Sequence, residues 1–247
     1  MKLRQYQQDA VESAIDWMKK CTEPALLELA TGAGKSWIAA AIAQWIHETS
    51  KKKVLVLQPS LELTQQNAEK YASTGKKASI FSASAGSKCT RHNVVYATPK
   101  TVLNSIARFG DAFGAVIIDE AHQTTPTIKQ IIDSIRAKNP MLRVIGMTAT
   151  PYRMGTGYIY QFDHTQTPVK RLSEDETISA FYHSLLYKIH TRELIEMHFL
   201  TDAHTDTDTN QIHYNTDNLT LNKMGQFDAK AVECIKTSTK QKYLRYF

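Results

Sequence analysis

The stretch Ala25-Leu26-Leu27-Glu28-Leu29-Ala30-Thr31-Gly32-Ala33-Gly34-Lys35-Ser36-Trp37 decides the fold. Its first five residues read as a short buried strand. A turn with two glycines follows, and Trp37–Ile46 continues as a helix. Glycines let the backbone curl until successive N–H groups point inward, and the first turn of a helix adds positive potential. Together they form a cradle for phosphate groups. Within it Lys35 is placed to reach the β and γ phosphates, and the Ser36 hydroxyl to ligate Mg2+. One position departs from the general pattern G-x-x-x-x-G-K-[ST]: Leu29 stands where that pattern has its first glycine. The blander reading is a glycine-rich turn between strand and helix that binds nothing.

Outward from this stretch the chain alternates. Strand-like runs at Val54–Leu57, Ala78–Phe81, Val94–Ala97, Ala115–Ile118 and Val144–Met147 are separated, for the most part, by helical stretches. Those stretches are Ser36–Glu48, Leu61–Ala72, Thr101–Arg108 and Thr127–Lys138, and an amphipathic helix over residues 5–20 precedes them all. Ile128, Ile131, Ile132 and Ile135 form an apolar stripe that reads as the sheet-facing side of a helix. Strands that are apolar throughout and separated by helices imply a mostly parallel sheet with helices on both faces, an α/β fold. In such sheets ligands bind at the carboxyl ends of the strands.

Beyond Pro151 the pattern loosens. Gly155-Thr156-Gly157 reads as a turn, and Tyr158-Ile159-Tyr160 as a short extended segment. The spacing of Ile178, Phe181, Leu185 and Ile189 predicts a second amphipathic helix over Glu176–Ile189. Residues 201–218 are polar and read as a surface excursion or linker, and Phe227–Lys236 as a final helix. No internal repeat is visible.

Two more polar motifs sit at strand ends. Asp119-Glu120-Ala121-His122 follows an apolar run, where an acidic pair is costly unless something cationic lies beside it. A Mg2+ ion held by Asp119 resolves that cost, and Glu120 is then placed to orient or deprotonate an attacking water. Alone, such a pair could equally cap a helix. Thr148-Ala149-Thr150-Pro151 offers two hydroxyls able to hydrogen-bond between the acidic pair and a moving part; taken alone it is a turn before proline.

Composition narrows the rest. With 42% apolar and 22% charged residues, the chain has material for a buried core and is no disordered polymer. No apolar run approaches the roughly 20 residues of a membrane span, and no signal-peptide stretch opens the chain, so a cytoplasmic location and no membrane partner are expected. Cys21, Cys89 and Cys234 lie far apart, and His198, His204 and His213 lack metal-ligand spacing, so neither a disulfide framework nor a zinc site is expected. Residues 1–150 hold 19 of the 30 basic side chains and 12 of the 24 acidic ones, a surplus of +7, against −1 for residues 151–247. A basic front half suits a polyanion partner; an ordinary solvated basic surface suits it as well.

The ordered set Gln7, Ala30–Ser36, Asp119–His122 and Thr148–Thr150 resembles the first motor domain of a superfamily 2 helicase of the DEAH-box type. Weaker motifs fall between. Leu3-Arg4-Gln5-Tyr6-Gln7 resembles the adenine-recognising segment, Gln58–Gln66 a first strand-contacting motif and Ala97-Thr98-Pro99-Lys100 a second. Gly146–Arg153 with Gly155–Phe162, Leu3–Gln7, Gln58–Asn67 and Asp119–His122 is similar, more narrowly, to the RadD group of bacterial DNA-repair helicases. The resemblance covers about residues 1–200 and implies a RecA-like P-loop NTPase domain using ATP and Mg2+. By that resemblance Arg4 and Gln7 contact adenine, and Thr31, Gly32, Ala33 and Gly34 wrap the phosphates. Lys35 and Glu120 serve hydrolysis, and Ser36 and Asp119 hold Mg2+. His122, Thr148 and Thr150 couple hydrolysis to domain movement. Ser60, Thr98 and Lys100 touch one strand of single-stranded or branched DNA, although Leu61 replaces the arginine usual there.

Such motors work with a second RecA-like domain, in cis or in trans, that donates an arginine finger. Residues 151–247 show no second strand–helix series, and residues 201–247 read as a helical or irregular extension, a linker toward an absent or truncated partner domain. A piece of a longer protein, a truncated gene product and half of a split protein all fit. The leading expectation is an ATP-dependent DNA helicase or translocase in repair or recombination, weakly active as an isolated chain. A non-catalytic nucleotide- and DNA-binding adaptor and a restriction-type motor subunit are the other two.

Overall fold

Each of the six strand-like runs between Ala25 and Met147 becomes a strand in the computed structural model, which describes residues 2–177 and 180–201. The front of the chain forms α1 (Gln5–Lys20), β1 (Ala25–Leu29), α2 (Lys35–Ser50), β2 (Lys53–Leu57), α3 (Leu61–Ala72), β3 (Ala78–Ser82), β4 (Ser87–Lys88), β5 (Val94–Ala97) and α4 (Pro99–Leu103). There follow β6 (Phe113–Asp119), α5 (Pro126–Arg136), β7 (Arg143–Thr148), β8 (Tyr152–Arg153), β9 (Gly157–Tyr158), β10 (Tyr160–Asp163), β11 (Lys170–Arg171), β12 (Tyr182–Ile189) and α6 (Thr191–Glu196).

Ten of these strands make one sheet in the order β11-β10-β12-β1-β7-β6-β2-β5-β3-β4. All neighbours are parallel except the edge pairs β10–β11 and β3–β4. The small pair β8–β9 is a separate antiparallel hairpin around the expected turn.

Both faces of the sheet are covered. Along β2, Val54 and Val56 join the core that contains the apolar sides of α1, α2 and α3. Leu55 and Leu57 join the opposite core, with Ile128, Ile131, Ile132 and Ile135 of α5. A strand buried on both sides has no use for polar alternation, which is why these runs are continuously apolar. Each fully buried leucine or isoleucine contributes about 1.5–3 kcal/mol.

The fold is thus α/β with a mostly parallel sheet covered by helices on both faces, as expected, with two local corrections. The helix expected over Glu176–Ile189 is not there: Tyr182–Ile189 is β12, a parallel strand between β10 and β1. Phe181, Leu185 and Ile189 recur every four residues, and that spacing repeats on a helix face and on a strand face alike. The helix expected over Thr101–Arg108 is broken into α4 and a short 3-10 turn at Ile106–Arg108. Apart from Thr201, the linker and final helix expected within residues 201–247 lie outside the described residues, as do His204, His213 and Cys234.

β12 is locked in place at Gly146 of β7. The Tyr182 side chain is fully buried, and a Cβ added at Gly146 would stand 2.5 Å from its ring carbons. Gly146→Ala should therefore destabilise the chain by about 1–3 kcal/mol, the range for overpacking a filled core. Urea unfolding measures it; an unchanged midpoint would mean the ring does not occupy that space.

Candidate nucleotide site

Parallel pairing brings the carboxyl ends of five strands to one edge of the sheet, in the spatial order β1, β7, β6, β2, β5. The turn after β1 is held open by Gly32 and Gly34, at φ 85° and 83°, a backbone region costly for side chains with a Cβ. Gln7 of α1 braces that turn. Its Nε2 donates to the Ala33 carbonyl at 2.9 Å, the Tyr6 hydroxyl donates to the same carbonyl at 3.0 Å, and Gln7 Oε1 accepts from the Arg4 N–H at 3.0 Å. Arg4, Gln7, Gly32 and Gly34 consequently line one open cavity. The Arg4 guanidinium stacks 4.1 Å from the centroid of the Phe199 ring. Leu29 is a fully buried strand residue, and its carbonyl accepts from Lys35 Nζ at 3.3 Å.

Ser36, one residue into α2, and Asp119, at the end of β6, are brought together by a residue from a third element. Ser36 Oγ donates to Asn67 Oδ1 at 2.6 Å, and Asn67 Nδ2 faces Asp119 Oδ2 at 3.5 Å. Burial, and then the neighbouring Glu120 charge, push the Asp119 carboxyl above its ordinary range; the Glu120 N–H, Lys35 and Gln58 pull it back down. Among the described residues no basic group forms an ion pair with Asp119. Gln58 is 2% exposed, and its Oε1 has no hydrogen-bond partner. Two hard oxygen donors, one of them a desolvated carboxylate, fit Mg2+, which takes one or two carboxylates plus phosphate and water oxygens. Among the described residues no group of three or more His, Cys, Asp or Glu side chains is arranged to hold a metal ion by itself.

Glu120 has left-handed backbone, φ 48° and ψ 52°, uncommon for a residue with a Cβ and a mark of strained functional turns. Its carboxylate lies between Lys35 Nζ at 3.9 Å and His122 Nδ1 at 3.3 Å. The same His122 nitrogen is 2.9 Å from Thr148 Oγ1, which accepts from the Thr150 N–H at 3.0 Å. One polar line, Lys35–Glu120–His122–Thr148–Thr150, thus crosses three strand ends. Arg153 fastens it from behind by donating to the carbonyls of His122 and Thr124. The Thr124 hydroxyl in turn lies 2.8 Å from the Tyr182 hydroxyl of β12.

Ser60, Thr98 and Lys100 form a neighbouring group at the ends of the paired strands β2 and β5. Two of them already serve the fold. The Ser60 hydroxyl caps α3 by accepting from the Leu63 N–H at 3.3 Å, and the Thr98 hydroxyl pairs with Ser82 at 3.2 Å and Thr101 at 3.0 Å. Lys100 is exposed, and it lines a cavity together with Gln58, Pro59 and Asp119. Sequence reasoning passed over Tyr6, Gln58 and Asn67 as site residues. A signal was present for Asn67: with Thr64 and Tyr71 it forms the buried stripe of α3, and an amide on such a stripe needs polar partners.

Burial, then the charges of Arg153 and Lys35, hold His122 below the ordinary histidine value, against the pull of Asp119. The folded state therefore binds this proton less readily than the unfolded chain. The stability this represents is present above the ordinary histidine value and is lost as pH falls through the lowered one. Melting curves from pH 7.5 down to 5.5 should show the wild type losing more stability than His122→Asn; parallel losses would remove His122 as the source.

A family model described as "Type III restriction enzyme, res subunit" matches residues 1–153. The ATP-dependent DNA helicase uvsW of Enterobacteria phage T4 is 27% identical over 164 residues, 64% of this chain and 31% of that protein. The chain thus spans about a third of that relative. The crystal structure of the UvsW helicase from bacteriophage T4 superposes with a TM-score of 0.53 at 22% identity, covering 76% of this chain and 60% of that one. A nuclease-deletion mutant of the Type ISP restriction-modification enzyme LlaGI, solved in complex with a DNA substrate mimic, gives a TM-score of 0.56 at 18% identity, covering 81% and 21%. These two share the fold. The matched span includes the phosphate turn, the acidic pair and the Thr148–Thr150 segment, and the chain belongs to the family of the type III restriction enzyme res subunit, with a RecA-like fold.

Proposed function

We propose that this chain is the ATP-binding motor domain of an ATP-dependent DNA helicase or translocase. The observation that carries the reading is the polar line from Lys35 through Glu120 and His122 to Thr148, lying beside Ser36 and Asp119. Thr31–Gly34 wrap the phosphates of ATP, Lys35 contacts the outer ones, and Arg4 and Gln7 meet the adenine. Ser36 and Asp119 hold Mg2+, which when bound neutralises charge on the phosphate oxygens.

Glu120 accepts a proton from water as the water oxygen bonds to the γ-phosphorus. The bond from that phosphorus to the bridging oxygen breaks, and ADP leaves. His122 senses the Glu120 carboxylate on one side and Thr148 on the other, so a change at the acidic pair reaches the segment that leads out of the sheet. A second RecA-like domain, in cis or in trans, completes the cleft and adds an arginine worth roughly 10³–10⁵ in rate. The motif Asp119-Glu120-Ala121-His122 supports assignment to the DEAH-box type, and the run Gly146–Arg153 a RadD-like role in DNA repair or recombination.

Lys35→Ala should abolish saturable Mg-ATP binding measured by calorimetry, while Glu120→Gln should keep binding and lose turnover; unchanged affinity in Lys35→Ala would remove the phosphate assignment. Ser60, Thr98 and Lys100 follow the DNA backbone, so affinity for single-stranded DNA should fall steeply with salt, with a slope reduced by about 1 in Lys100→Ala. A salt response that is flat, or identical in the variant, would place the DNA elsewhere.

A further inference from the structure

Asn67 is 4% exposed, lies on the sheet-facing side of α3 and has been given no role above, although it ends the run Gln58–Asn67. Its amide lies between the two side chains read as cation ligands, with Oδ1 2.6 Å from Ser36 Oγ and Nδ2 3.5 Å from Asp119 Oδ2. A serine hydroxyl has one proton and two lone pairs. A cation needs a lone pair, so the proton must be drawn to the opposite side. Asn67 Oδ1 draws it there.

The Asp119 carboxylate must be held by donors, and it has the Glu120 N–H on Oδ1 at 3.0 Å and the Asn67 amide on Oδ2. Only a side chain that accepts on one atom and donates on the next can serve both neighbours at once. An aspartate here would repel Asp119, and an apolar residue would leave the Ser36 hydroxyl and Asp119 Oδ2 without this partner.

We propose that Asn67 is a positioning residue for the divalent cation: it fixes the rotamer of the Ser36 hydroxyl and the plane of the Asp119 carboxylate so that both present lone pairs to one point. The proposal rests on the reading of this site as a Mg-nucleotide site. Partners that orient metal ligands in this way are worth 10–100-fold in metal affinity.

The test titrates Mg2+ into the chain with a fluorescent ATP analogue and reads the Mg2+ concentration at half-maximal tight binding. Analogue affinity in EDTA and thermal unfolding without nucleotide are read in parallel. Asn67→Ala should need about 10-fold or more additional Mg2+, with its EDTA affinity and melting temperature near wild type. Asn67→Leu, which restores the lost volume, should behave alike and covers the case in which the alanine variant does not fold. In the Ser36→Ala background Asn67→Ala should add much less than it does alone, since the two act in series.

An unchanged Mg2+ midpoint, or a shift matched by an equal loss of affinity in EDTA, would overturn the proposal. Absence of Mg2+-dependent binding in the wild type would overturn the Mg-nucleotide reading as well, which separates the two failures.

Discussion

Parallel strands cannot be joined by tight turns, so most connections in this sheet cross one of its faces as a helix. With α1, α2 and α3 on one face and α4 and α5 on the other, most of the strand interiors are closed to water. Polar side chains that must converge have the strand ends left to them. The site residues that follow β1, β6 and β7 obey that constraint. β1, β7 and β6 are neighbours, so the phosphate turn, Thr148–Thr150 and the acidic pair are neighbours, although up to 120 positions separate them in sequence.

At that edge the electrostatics are unbalanced in a useful way. Asp119 is half-buried, and its desolvation outweighs the help from Lys35. Glu120 sits in a strained left-handed conformation, held between Lys35 and His122. Such an arrangement is poorly satisfied by the protein alone and gains from a cation and from phosphate. Stability is therefore lower here than a buried apolar edge would give, and a ligand that bound at this edge would recover part of it.

Much of this was legible in the sequence. The phosphate turn, the acidic pair and the six early strands came from apolar runs that end in polar motifs, and their bounds moved by two residues or fewer. β12 was not legible. It is buried between two strands, carries a register irregularity opposite Leu26–Leu27, and its apolar spacing of four fits helix and strand equally. The partners of the site residues were also hidden. Asn67 lies 31 positions from Ser36 and 52 from Asp119, and only the packing of α3 on the sheet brings the three together. The resemblance gave Ser60 and Thr98 as strand contacts and said nothing of their partners; in the fold one caps a helix and the other joins a hydroxyl pair.

α3 has one more property. Its first turn is tied to Ser60, at the end of β2, and its second turn carries Asn67. At about 1.5 Å per residue the two lie roughly 10 Å apart on a single stiff rod. A rod of that length bends little under small loads, so it acts as a lever. Whatever tilts the Ser60 end swings the amide at the other, and a shift of a few tenths of an ångström there is enough to lengthen the 3.5 Å approach to Asp119 beyond hydrogen-bonding range.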